Sequence, residues 1–129
     1  MARSPAPPQP TNAELEILHV LWRRGPCTVR DVHDELSARD VGYTTVLKLM
    51  QIMAEKGLVK RDESSRSHVY RAAIQERDTK RRMVADLADR VFKGSAMSLV
   101  LHALENQPAT AEDLEEIRNL LDRRAKERT

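Results

Sequence analysis

Hydrophobic residues recur at intervals of three and four along residues 15–22, and this spacing predicts an amphipathic helix. The helix is expected to begin at Thr11, because Thr-Asn-Ala-Glu has the form of a capping box, and to end at Gly25. Thr28 is expected to cap a second, short helix that finishes around residues 37–39. The first third of the chain is therefore predicted to contain two helices joined by a tight turn.

After the second predicted helix, the spacing of hydrophobic residues predicts a third helix and then changes to a pattern that favours strands. The helix is predicted to begin at Thr44 or Thr45, and Gly57 is placed to stop it in a left-handed conformation. Residues 58–62 and 68–72 are short β-favouring runs on either side of a polar loop, which predicts a hairpin. Three helices followed by a hairpin is the chain order of a winged helix-turn-helix domain, in which the third helix enters the major groove of DNA.

The rest of the chain, from residue 75 onward, returns to a helical pattern. One helix is predicted over about residues 75–93, a second after Gly94, and a third that is capped at Thr110. Three helices of this length bury little apolar surface alone, so a homodimer is expected to cover it, with docking onto the N-terminal half as the alternative. The residues expected in the dimer interface are Met83, Leu87, Val91, Leu99, Leu101, Leu104, Leu114, Ile117 and Leu121.

The length and amino-acid composition limit the classes of protein to which the chain can belong. The 129 residues suffice for one domain with an appendage, which excludes a large multidomain enzyme, and an aromatic content of 3% favours a mainly α fold. We predict a disordered proline-rich tail over residues 1–10, a winged-helix DNA-binding domain over 11–73 and a helical dimerisation domain over 74–129. Without a signal peptide, a membrane-spanning run or a second cysteine, the protein is expected to be cytoplasmic.

The charge and side-chain chemistry of residues 41–73 favour nucleic-acid binding. The formal net charge is +2, and residues 41–73 hold six basic residues against three acidic ones. The polar side of the third helix contains Lys48 and Gln51, whose side chains suit base edges, although a solvated helix face is the alternative interpretation. Hydroxyl groups at its start suit phosphate oxygens, and Arg66 lies in the hairpin loop. The candidate DNA-binding residues are Thr28, Tyr43, Thr44, Thr45, Lys48, Gln51, Lys56, Lys60, Arg66, Ser67 and His68.

Four stretches of the chain resemble one known family. They read TNAELEILHVLWRRGPCTVRDVHDELSAR, GYTTVLKLMQIMAEKGLV, SRSHVYRAA and GSAMSLVLHALENQPATAEDLEEIRNLLD, and together they cover nearly all of the chain beyond residue 10. They are similar to the penicillinase-repressor (BlaI/MecI) family of winged-helix transcriptional regulators. The resemblance implies a transcriptional repressor that binds a palindromic operator as a homodimer and has no catalytic activity.

The chain departs from that family's pattern at several positions. Relatives commonly carry Arg where this chain has Ile52, and Gly where it has Ser65 in the hairpin loop. Well-studied members are inactivated by a signal-activated protease that cleaves an Asn-Phe bond, and the matching pair here is His102-Ala103. Resemblance to such a family nevertheless implies two partners, which are operator DNA and a signal-activated protease. The copper-responsive branch is excluded, because its C-terminal cysteine motifs are missing.

Catalytic and metal-binding chemistry is not expected. The four histidines lie in different predicted elements with no two at ligand spacing, so neither a metal nor another cofactor is predicted. Cys27 and His33 suggest a nucleophile pair, but a small buried cysteine is the expected interpretation. Two further functions stay open as alternatives: a winged-helix module that binds a protein, and a regulator that responds to a small molecule in an apolar cleft.

Overall fold

The computed structural model describes residues 7–128, which form two compact units. The first unit ends at Met83 and the second begins at Val84, so the division lies further along the chain than the predicted boundary between residues 73 and 74. The first unit contains, in chain order, α1 (Asn12–Arg24), β1 (Cys27–Thr28), α2 (Val29–Glu35), a 3₁₀ turn (Ser37–Arg39), α3 (Tyr43–Lys56), β2 (Val59–Asp62) and β3 (Val69–Ala72).

Local hydrogen bonds fix the ends of these helices. The hydroxyl of Thr11 accepts a hydrogen bond from the backbone N–H of Glu14 at 3.2 Å, and the Glu14 carboxylate accepts one from the N–H of Thr11 at 2.9 Å. Thr28 and Asp31 repeat the same reciprocal arrangement at the start of α2. Helix α3 ends where Gly57 adopts a φ of 85°, a conformation that suits glycine. The two predicted N-caps and the predicted glycine stop are confirmed.

The sheet has three antiparallel strands in the order β1-β3-β2, one more than the predicted hairpin. Strand β1 pairs Cys27 with Tyr70, and β2 pairs Arg61 with the same tyrosine from the other side. Two residues are too few to produce an alternating pattern, and the partner strand lies far along the chain, so periodicity did not reveal β1. We call β2, β3 and the loop between them (residues 59–72) the wing.

The core of the first unit lies between the three helices and the sheet. Val46 and Met50 of α3 are fully buried in it, and Tyr70 of the wing is 1% exposed. Burying an aliphatic side chain of this size contributes about 1.5–3 kcal/mol, so the core holds α3 firmly against its neighbours. The core residues are Ile17, Leu18, Val20, Leu21, Cys27, Val29, Val32, Leu36, Val46, Met50, Met53, Leu58, Val59 and Tyr70.

The second unit consists of helices and the turns that connect them. The chain turns at Gly94, which has a φ of 83°. Thr110 caps the last helix as predicted, since its hydroxyl accepts a hydrogen bond from the N–H of Asp113 at 3.0 Å. The helices are α4 (Glu76–Arg90), which begins in the first unit, α5 (Ala96–Asn106) and α6 (Ala111–Glu127). The predicted mainly α fold is confirmed.

The segment that precedes α1 contacts the first turns of α4. Arg82 donates a hydrogen bond to the carbonyl oxygen of Pro7. Residues 7–10 also share the walls of a cavity of about 420 Å³ with Met83. Met83, which we expected in the dimer interface, lines this cavity and is the last residue of the first unit. The remainder of the predicted disordered tail, residues 1–6, lies outside the described residues.

Candidate nucleic-acid interface

Helix α3 has one buried side and one exposed polar side. Successive residues project about 100° apart around an α-helix, so Val46 and Met50, both fully buried, fix its orientation. Thr44, Lys48 and Gln51 project on the opposite side and are exposed. Within residues 7–128, the side chains of Lys48 and Gln51 take part in no hydrogen bond or ion pair, which leaves their polar atoms available. A recognition helix needs this arrangement.

A histidine joins α2 to the start of α3. The ring Nε2 of His33 lies 2.9 Å from the carbonyl oxygen of Val41, to which it donates a hydrogen bond. The same ring packs edge-on against Tyr43, with 5.8 Å between the ring centroids. His33 therefore fixes both the connection that leads into α3 and an exposed aromatic side chain at its first position.

A cleft of about 440 Å³ opens between α2, α3 and the wing. It brings together six of the candidate DNA-binding residues from three separate elements. Three arginines with different positions in the sequence also share its walls, so the cleft is cationic. Its lining consists of Thr28, Val29, Arg30, Tyr43, Leu47, Gln51, Arg61, Arg66, Ser67, His68 and Tyr70.

The loop of the wing is shaped by its own polar groups. The Asp62 carboxylate accepts a hydrogen bond from the N–H of Ser64 at 2.9 Å, which holds the pKa of Asp62 below its ordinary value. The hydroxyl of Ser65 donates to the carbonyl oxygen of Ser67 at 2.7 Å. Arg66 lies between these contacts, is exposed, and makes no hydrogen bond or ion pair among residues 7–128. Its guanidinium is thus free to meet an anion.

Two cleft arginines were missed by the sequence analysis. Arg30 is exposed on the first turn of α2, and Arg61 lies on β2 opposite Tyr70. A hydrogen bond to Tyr70 raises the pKa of Arg61 above its ordinary value, and the charge of Glu63 acts in the same direction. Their basic character was visible in the sequence, but the strand register that places Arg61 in the cleft was not.

Five candidate residues lie outside the cleft lining. Thr44, Thr45 and Lys48 are exposed on α3, and Lys60 is exposed on β2. Lys56 differs from them, because its Nζ lies 2.7 Å from Oε2 of Glu14.

The pair of Lys56 and Glu14 joins the end of α3 to the start of α1. The Glu14 side chain is 2% exposed and the Lys56 side chain 32% exposed. Burial raises the pKa of Glu14, but hydrogen bonds from Lys56 and Thr11 outweigh it and hold the value below the ordinary one. The ammonium group of Lys56 is therefore engaged within the fold, and we leave it out of the proposed DNA contacts.

No metal site is found among residues 7–128. Cys27 is buried, as expected, and burial raises the pKa of its thiol, which disfavours the nucleophilic thiolate. No group of three or more histidine, cysteine or acidic side chains in the described part is placed to hold a metal ion. In the same range, no helix combines the length and the apolar character that crossing a bilayer requires.

The second unit exposes most of its large apolar side chains. From residue 84 to residue 128, Ala88 is the one hydrophobic residue that is buried. A cleft of about 710 Å³ between α5 and α6 is lined partly by Leu104, Ile117 and Leu120. The exposed large hydrophobic residues are Val84, Leu87, Val91, Met97, Val100, Leu101, Leu104, Leu114, Leu120 and Leu121.

Three helices, a small sheet and an exposed basic wing beside the polar side of α3 define a winged helix-turn-helix protein. Within this class, the chain can be assigned to one family. A model of the penicillinase repressor family matches residues 10–123, and the chain belongs to this family. The resemblance found in the sequence is thereby confirmed.

Three relatives illustrate the similarity. The chain is 38% identical over 104 residues to transcriptional regulator BlaI of Mycobacterium tuberculosis, which covers 78% of this chain and 75% of that protein. It is 25% identical over 115 residues to methicillin resistance regulatory protein MecI of Mammaliicoccus sciuri, covering 88% and 94%. The solved DNA-binding domain of the repressor BlaI matches 57% of this chain and 90% of its own, with a TM-score of 0.50 and 28% identity. These relatives are regulators rather than enzymes.

Proposed function

We propose that this protein is a transcriptional repressor that inserts α3 into the major groove of its operator and lays the wing on the phosphate backbone. The observation that carries the proposal is the junction of two surfaces. Gln51 is exposed on the same side of α3 as Lys48, and it lines a cleft that Arg30, Arg61 and Arg66 make cationic. Base contacts supply sequence specificity, whereas phosphate contacts supply affinity and orientation.

The proposal includes a homodimer that binds two half-sites. Its support is the second unit, which buries a single hydrophobic residue between residues 84 and 128 and exposes ten large ones. A second copy would cover this surface in a symmetric interface. Repression then follows from occlusion of the promoter, and the location is cytoplasmic, where the operator is accessible. A signal-activated protease as a partner, which the family resemblance implies, stays a prediction. The pair that stands in the place of the family's cleavage site, His102-Ala103, lies inside α5.

Selection from a pool of random-sequence duplexes tests this function. We expect enrichment of a palindromic sequence whose half-sites lie one or more helical turns, about 34–36 Å each, apart. The logarithm of the affinity should fall with the logarithm of salt concentration by about 0.9 for each phosphate neutralised. No enriched sequence and a nearly flat salt dependence would contradict the proposal and favour a protein-binding module.

Replacing Gln51 or Lys48 by Ala should change base preference at defined operator positions. A side chain that makes a paired contact with one base discriminates by about 1–3 kcal/mol, so the loss should appear only on operators with the preferred base. Binding of each variant to single-base operator variants measures this. Equal weakening on all sequences would contradict the assignment of these two side chains to base contact.

Replacing Arg66 by Ala should weaken binding to the same extent on every DNA sequence. The guanidinium is free and is placed on the wing, where it would neutralise one phosphate, so the salt slope should fall by about one unit. Arg81→Ala is the matched control, because Arg81 is exposed on α4 and has no partner among residues 7–128. Unchanged affinity of the Arg66 variant would remove the wing from the interface.

A further inference from the structure

The side chain of Arg61 interacts with two other residues of the wing, Tyr70 and Glu63. Tyr70, its partner across the strands, is buried, and its side chain raises the pKa of the guanidinium. The carboxylate of Glu63 lies 2.5 Å from the same guanidinium, at Nη2. Arg61 also lines the cleft that contains Gln51 and Arg66, so the guanidinium bound by Glu63 belongs to the surface proposed for DNA.

The two acidic residues of the wing have different surroundings. Asp62 accepts a hydrogen bond from Ser64 and thereby shapes the loop. Glu63 is 54% exposed, and within the described residues its one polar partner is Arg61. A carboxylate that faces a polyanion weakens association by repulsion of like charges. The fold therefore uses Asp62 to build the wing, while Glu63 is not needed for that task.

We propose that Glu63 competes with a DNA phosphate for Arg61 and thereby limits the affinity of the wing for the DNA backbone. This inference rests on the proposed function. An exposed ion pair contributes little to stability, so a phosphate can replace the carboxylate, and the planar guanidinium fits phosphate well. The strand pairing with Tyr70 keeps Arg61 at the cleft during the exchange. Because backbone contacts carry no sequence information, Glu63 restrains binding to arbitrary DNA.

A double-mutant cycle on the full chain tests the competition. The variants are Glu63→Gln, Arg61→Gln and the two together, and the probe is a random-sequence DNA duplex whose binding is followed by fluorescence anisotropy over a salt series. Glu63→Gln should raise the affinity about fivefold and steepen the salt slope by about 0.9, since one more phosphate is neutralised. In the Arg61→Gln background the same change should alter the affinity less than twofold.

The control is Glu76→Gln, because Glu76 is an exposed glutamate paired with Lys80 at 2.9 Å outside the wing, and its loss should leave affinity unchanged. An unchanged or lower affinity of Glu63→Gln overturns the competition, and a lower one assigns Glu63 to positioning Arg61 instead. An equal gain with and without Arg61 also overturns it, as a general effect of charge. If the wild-type chain binds no duplex at all, the proposed function fails together with this inference.

Discussion

Replacing Leu121 by Asp should convert the protein to a monomer and lower its affinity for a full operator by about 100-fold or more. Leu121 is 58% exposed on α6, so the substitution places a charge on the surface that the proposed dimer would bury. The first unit has its own core and should keep its fold, which leaves binding to a single half-site intact. Linking two half-site contacts raises affinity by about 10²–10⁴, and this gain would be lost.

Sedimentation and operator titration of the same samples measure both effects. Glu115→Gln is the control, since it removes one charge from the polar side of the same helix and should preserve the dimer. Half-site affinity of Leu121→Asp should match that of the wild type. A monomeric variant that retains full affinity for the palindrome would show that the second unit does not link two DNA-binding units.

Features encoded by neighbouring residues were predictable from the sequence. The cap at Thr11, the cap at Thr28 and the stop at Gly57 all depend on residues within one helical turn, and the structure confirms them. Strand β1 was missed because its two residues, Cys27 and Thr28, are defined only by pairing with β3. Hydrophobic spacing carries no information about such a short strand.

The candidate DNA-binding residues were likewise predictable from the sequence only where their positions depend on residues nearby in the chain. Exposed residues of α3 such as Lys48 and Gln51 follow from helical periodicity alone, and the structure places them on the exposed side. The role of Arg61 required the register of the wing, which sets its contact with Tyr70. Lys56 looked like another surface cation, but its carboxylate partner comes from a helix 42 residues earlier in the chain. Composition and periodicity do not report contacts of that range.

Replacing Lys56 by Met should lower the free energy of unfolding by about 3 kcal/mol. The change leaves the Glu14 carboxylate buried without its ammonium partner, and breaking a buried pair from one side costs about 3–5 kcal/mol. The low end applies because the Lys56 side chain is 32% exposed. Urea unfolding at fixed protein concentration measures the loss. Lys48→Met is the control on the same helix, since Lys48 is exposed and should change stability by less than about 0.5 kcal/mol.

The pH dependence of that loss separates the ion pair from simple packing. The folded-state pKa of Glu14 lies below the ordinary value of 4.5, so the pair contributes stability above pH 4.5 that is lost as pH falls through the folded pKa. In Lys56→Met, burial acts on Glu14 without the opposing ammonium, and protonation then relieves the buried charge. The difference between the two proteins should therefore shrink as pH falls below 4.5. A difference that stays constant with pH would show that the Lys56 side chain stabilises the fold through its aliphatic contacts instead.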